Sequence, residues 1–172
     1  KRAIAPADRP GLSPAGTRVY IADLGGTDSQ TQVTAARRLR HMGYEPVPHL
    51  AARRLTTEAA LHDRIAALAG EAGVSDMLII AGGVATPAGA FSSSLAVLET
   101  GLLDLHSIRD VGVAGHPEGS PDVPENVAIE ALRLKQAFGE RTGARVRIVT
   151  QFGFDAERAI DWATSLDRHG ID

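Results

Sequence analysis

The sequence predicts an α/β fold organised on a parallel sheet, and three observations carry that prediction. Five short apolar runs recur at intervals of about 30 residues, the length of one strand–helix unit. Segments with helical periodicity fill the intervals, and the connections are short, with no linker. The apolar runs are mostly continuous rather than alternating, as in strands covered on both faces.

The first strand is expected over residues 18–22 (RVYIA). Thr27 or Asp28 then caps a helix that continues through Arg40 and ends at Gly43. The second strand spans 45–50 (EPVPHL). In the helix after it, Thr56 or Thr57 is the cap and Gly73 the stop. Its Ala60, Leu61, Ile65, Leu68 and Ala69 recur at three- and four-residue steps and form one buried stripe. The third strand is 77–81 (MLIIA), followed by a helix over 92–99. The fourth is 111–114 (VGVA), followed by a helix over 124–141. The fifth is 146–150 (VRIVT), and a last helix over 156–168 turns Ile160, Trp162 and Leu166 toward the sheet. Residues 1–16, with Pro6, Pro10 and Pro14, read as an irregular segment, with room for a short strand near Ala3 to Ala5.

The whole of 1–172 reads as a single domain, since 172 residues suit one core. An apolar fraction of 44% with 23% charged residues excludes disorder, collagen and coiled coil. A net charge of −3 without like-charge runs argues against nucleic acid. No apolar run approaches the ~18 residues of a membrane span, so no membrane partner is expected. The chain has no cysteine, which removes disulfides and thiolate chemistry and suits the cytoplasm. Two closures fit the alternation: an open doubly wound sheet, or a stretch of a (β/α)8 TIM barrel. Five units are too few for a complete barrel of about 250 residues.

In either architecture the active site lies at the carboxyl ends of the strands. There the sequence places Asp23-Leu24-Gly25-Gly26-Thr27-Asp28, then His49, then Gly82-Gly83. The fourth strand leads into Gly115-His116-Pro117-Glu118-Gly119-Ser120-Pro121, and the fifth into Thr150-Gln151-Phe152-Gly153-Phe154-Asp155. The opposite ends look bland. His49 suits a structural histidine as well as a ligand contact, and His116 with Glu118 could simply fix a turn. Gln151 at the end of an apolar strand reads as a buried amide, which needs partners that a ligand would supply. Lys135 is one of only two lysines, and a helical lysine ordinarily faces solvent. His41, His62, His106 and His169 read as surface. The Gly25-Gly26 stretch could offer N–H groups to a phosphate, but it matches neither dinucleotide nor P-loop signatures. His49, His116 and Glu118 together are a minority candidate for a two-His, one-carboxylate metal set.

Three segments, taken together, resemble the methylenetetrahydrofolate reductase family: Pro46-Val47-Pro48-His49-Leu50, Gly115 through Pro121, and Val149-Thr150-Gln151-Phe152-Gly153-Phe154-Asp155. They stand in that family's order and spacing and are closest to its short bacterial branch. The resemblance runs from about Arg18 to the end of the chain. It implies a (β/α)8 barrel with FAD at its C-terminal face, this chain covering about strands two to six and reading as incomplete. It implies NADH or NADPH as electron donor and reduction of a folate substrate, methylenetetrahydrofolate to methyltetrahydrofolate. Carried over position by position, it makes His49, Gly82, Gly83, His116, Ser120 and Lys135 cofactor-binding, and Gln151 and Phe152 substrate-binding. Val84 stands where the family has an aspartate that tunes the flavin, Ser120 where it usually has histidine, and no glutamate stands on a first strand. The catalytic acid is therefore unassigned. The departures keep two other functions in view: a non-catalytic folate- or flavin-binding relative, and a metal-dependent hydrolase using His49, His116 and Glu118. A homo-oligomer is compatible with all three.

Overall fold

A computed structural model of the chain describes residues 13–25, 29–121 and 123–171. Five strands, β1 (Arg18–Ile21), β2 (Glu45–Ala51), β3 (Asp76–Ile80), β4 (Asp110–Gly115) and β5 (Arg145–Thr150), form one sheet in the order β1-β2-β3-β4-β5. Every neighbouring pair is parallel. The helices are α1 (Ser29–His41), α2 (Glu58–Ala72), α3 (Ser94–Leu98), α4 (Leu102–Leu105), α5 (Glu125–Thr142) and α6 (Ala156–Arg168). The strand order has no reversal, so the topological switch point of a doubly wound sheet is absent among the described residues.

The caps explain where the helices begin and end. Thr57 accepts the Ala60 N–H at 3.0 Å, and Gly73 closes α2 in the left-handed conformation that glycine adopts without strain. Ser93 caps α3 through the Ala96 N–H, so that helix starts two residues later than its apolar pattern suggested. Asp155 caps α6 through the Arg158 N–H. The one-turn α4 and a 3-10 turn at Ala52–Arg54 carry too few residues for a periodic signal. The caps expected at Thr27 or Asp28, the strand expected near Ala3 to Ala5, and nearly all of the irregular segment lie outside the described residues.

Alternate strand residues separate two faces. Met77, Ile79, Val111 and Val113 join Leu61, Ile65 and Leu68 of α2 in the main core on the helix side. The opposite face carries Val47, His49, Asp76, Leu78, Gly112 and Arg147, aligned by strand register. On that face Val47, Asp76 and Leu78 are buried, although Val47 and Leu78 do not belong to the main core cluster. Four expectations need correction here. Ile160 points to solvent, and only Leu166 and, in part, Trp162 pack against the core. His106 is half-buried, with its ring 4.9 Å from that of His62, and its Nε2 is sealed from solvent. Lys135 lies on the sheet-facing stripe of α5 with Ile129, Leu132 and Phe138, rather than in water.

The fourth correction concerns the amino ends of the strands, which are not bland. Asp76, 2% exposed, takes Arg18 at 2.9 Å and Arg147 at 2.7 Å, while Asp110 pairs with both nitrogens of the Arg145 fork. Register explains the reach of Arg147. Gly112 stands between Leu78 and Arg147, and having no side chain it leaves the guanidinium free to cross β4 toward β3.

Candidate functional site

At the carboxyl ends of the strands, the β1 end is a buried polar knot. The Asp23 carboxylate receives the N–H of Gly25 and of Ala51, both at 3.3 Å, and Arg64 at 3.1 Å. Burial by itself would raise the Asp23 pKa, but the Arg64 charge and these N–H groups outweigh it and hold it below the usual value. Gln32 donates to the carbonyls of Ile21 and His49 and accepts from Arg64, tying α1 and α2 to β1 and β2. The glycine loop is therefore not an open phosphate cradle at Gly25. Its N–H is taken by Asp23, and the Arg54 guanidinium fills the space where a Cβ would stand.

His49 sits beside this knot on the face of β2 opposite the main core, its ring edge-on to Tyr20 at 5.8 Å. Its Nε2, like that of His106, is buried and has no hydrogen-bond partner among the described residues. Burial lowers its pKa, and the nearby Asp23 charge opposes that shift. An imidazole nitrogen left orphaned at a strand's carboxyl end is costly unless something docks against it. Next in order, Gly82 has φ +88°, and a Cβ there would come within 3.1 Å of Ala51. Gly83 faces open space. Arg53 holds this loop by donating to the carbonyls of Val84 (3.3 Å) and Ser92 (2.9 Å).

After β4, His116 is half-buried and starts a turn closed by the Gly119 N–H to its carbonyl at 3.0 Å. Ser120 is half-buried beyond it. Glu118 reaches the next loop, accepting the N–H of Phe154 (3.0 Å) and of Asp155 (3.2 Å) on one oxygen. A hollow of about 170 Å3 between the two loops is lined by Pro117, Glu118, Thr150, Gln151, Gly153 and Phe154. No protein-family model matches the chain.

The residues expected at the site divide by location. His49, Gly82, Gly83, His116, Ser120, Gln151 and Phe152 all lie at one end of four adjacent strands, β2 to β5. Gln151 is exposed rather than buried, so its amide is available and not a core group in want of partners. Phe152 is 85% exposed and packs edge-to-face on Phe154 at 5.1 Å. Lys135 stands apart. It lies roughly 15 Å along α5 from the end next to the site, at the usual rise per residue. Its ammonium finds no partner among the described residues, and burial lowers its pKa. The metal set is not assembled either, since Glu118 is committed to backbone N–H groups. Among the described residues no three His, Asp or Glu side chains could hold an ion.

A larger groove of about 410 Å3 lies on the helix side between α5 and β5, against Val113, Leu132, Val146 and Ile148. It faces away from the strand ends that carry the motifs. Sequence reasoning missed Arg53, Arg54 and Arg64 as the cations around the β1–β3 loops. Nothing in a single arginine's sequence context marks it as buried, although their density after β2 was visible.

Proposed function

We propose that this chain is part of a (β/α)8 barrel flavoprotein that reduces methylenetetrahydrofolate to methyltetrahydrofolate, with NADH or NADPH as electron donor. The observation that carries the reading is the gathering of His49, Gly82-Gly83 and the two motif-bearing loops at the carboxyl ends of the consecutive strands β2 to β5, where His49 Nε2 has no partner among the described residues. Support for the barrel comes from the strictly consecutive parallel order and from the burial of Val47, Asp76 and Leu78 on the face opposite the main core.

The residues present fit FAD in three respects. His49 offers an unsatisfied ring nitrogen, Gly83 offers open backbone, and the half-buried His116 turn flanks both on the next strand. When bound, FAD would supply the hydride transfer. The chain's own part is binding and orientation. Gly82 and Gly83 admit a planar ring close to the backbone. His49 gives that ring a hydrogen bond, the exposed Gln151 amide meets the donor–acceptor edge of a pterin, and Phe152 lies against its face. Among the described residues no helix is long and apolar enough to cross a membrane. With no cysteine in the sequence, we place this chemistry in the cytoplasm.

A second reading, a non-catalytic folate- or flavin-binding protein, is favoured by one observation. Val84 stands where the resembled family has its carboxylate, and its carbonyl accepts from the Arg53 guanidinium at 3.3 Å. Oxidation of methyltetrahydrofolate by a quinone acceptor, with FAD added to the purified chain, separates the two. FAD-dependent turnover supports the reductase, binding of both molecules without turnover supports the second reading, and binding of neither removes both.

A further inference from the structure

We infer that Glu118 is a positioning residue, the clamp that holds the loop after β5 in its ligand-receiving shape. The inference rests on the folate reading of that loop. One oxygen of the Glu118 carboxylate accepts two consecutive N–H groups, Phe154 at 3.0 Å and Asp155 at 3.2 Å. The intervening geometry is tight, because a Cβ on Gly153 would stand 2.9 Å from that same oxygen. A side chain at position 153 would displace that oxygen from the two N–H groups, so the acid on one loop and the glycine on the other are matched parts.

The clamp is not a helix cap under another name. Asp155 already caps α6 through the Arg158 N–H at 3.0 Å. Glu118 comes instead from the preceding strand's loop, and it fixes residues upstream of the helix. Those residues include an unusual surface. Phe152 and Phe154 are 85% and 91% exposed, and their rings meet edge-to-face at 5.1 Å and 85°. Two phenyl rings so exposed would collapse onto apolar surface if their backbone were free. A charge-assisted pair of hydrogen bonds at Phe154 and Asp155 prevents this and keeps Phe154 in the wall of the hollow with Gln151, and Phe152 edge-on to Phe154. The ligand class that suits such a hollow is a planar heteroaromatic ring with a hydrogen-bonding edge.

Glu118→Ala, Glu118→Gln and Gly153→Ala test the clamp from both sides. Hydrogen exchange at the Phe154 and Asp155 amides needs no ligand and reads the clamp directly. It should rise about tenfold or more in Glu118→Ala and in Gly153→Ala, and recover largely in Glu118→Gln, whose amide oxygen accepts the same pair. Methyltetrahydrofolate affinity should fall about tenfold in the first two variants and stay within about threefold in Glu118→Gln, with FAD affinity unchanged throughout. Unchanged exchange in Glu118→Ala overturns the clamp whatever binds. Equal losses of FAD and folate affinity also overturn it, since they mark general damage. Wild-type protein that binds no methyltetrahydrofolate overturns the folate reading on which the ligand half rests, and leaves the exchange result to stand or fall separately.

Discussion

Arg147 places a guanidinium nitrogen 2.7 Å from Oδ1 of Asp76, crossing an entire strand to do so. The crossing depends on Gly112, where a Cβ would press to 3.0 Å on Leu78 and 3.2 Å on Val149. Arg18 closes the other side of the same carboxylate at 2.9 Å. Two cations on one buried acid tie β1, β3 and β5 together on the face opposite the helix-side core.

Asp76→Asn should therefore cost about 2–4 kcal/mol in urea unfolding, because both arginines lose their countercharge at a buried position. Arg18→Ala should cost under about 1 kcal/mol, its side chain being half exposed. Equal effects of the two substitutions would show that the network does not act through burial of Asp76.

Gly115 is packed as tightly at the other end of β4. A Cβ there would stand 2.5 Å from Ile148 and 2.6 Å from the Trp162 ring. Gly115→Ala should push α6 outward, shift the tryptophan emission to the red, and cost about 1–3 kcal/mol. The sequence has a single tryptophan, so the signal has one source. Unshifted emission would mean that α6 does not dock through Trp162.

The pH dependence of stability follows from His49. Burial holds its folded pKa below the ordinary 6.5, so the unfolded chain takes up the proton first as the pH falls. The stability linked to His49 is therefore complete above pH 6.5 and declines as the pH drops from 6.5 through the lower folded value. Wild-type protein should lose more stability between pH 7.5 and 5.5 than His49→Gln, as read by urea unfolding at each pH. Parallel pH curves for the two proteins would rule this out. Asp23 acts in the same direction but lower, its share being lost only below its ordinary 3.8.

Lys135 supplies a contrast between sequence and structure. Lys135 is a buried residue whose ammonium has no partner among the described residues, so Lys135→Met should raise stability by about 1 kcal/mol or more. FAD affinity should stay within about twofold. A clear loss of FAD affinity would return Lys135 to the cofactor, where the family resemblance put it.

The strands were legible because each is a compact apolar run between glycine and polar breaks, and observed ends differ from expected ones by a residue. Helices with a side-chain cap, such as α2 at Thr57 and α6 at Asp155, were legible for the same local reason. The position of Lys135 was not, since the stripe of α5 continues through it at three-residue steps and the residue type pointed the other way. The ion pairs at the amino ends were also hidden. Asp76 and Arg147 lie 71 positions apart, and only the register over Gly112 joins them. At the site, the residues that follow each strand could be named from their order. The engagement of Glu118 with the Phe154 and Asp155 amides could not, because backbone partners leave no trace in residue type.

The most direct test of the proposed flavin site is a titration of the purified chain with FAD, followed by flavin absorbance and fluorescence. Saturable one-to-one binding is expected, weakened about tenfold by His49→Ala through loss of a ring nitrogen that has no partner among the described residues. A folded protein that leaves free FAD unchanged, or one whose affinity is indifferent to His49, would contradict it.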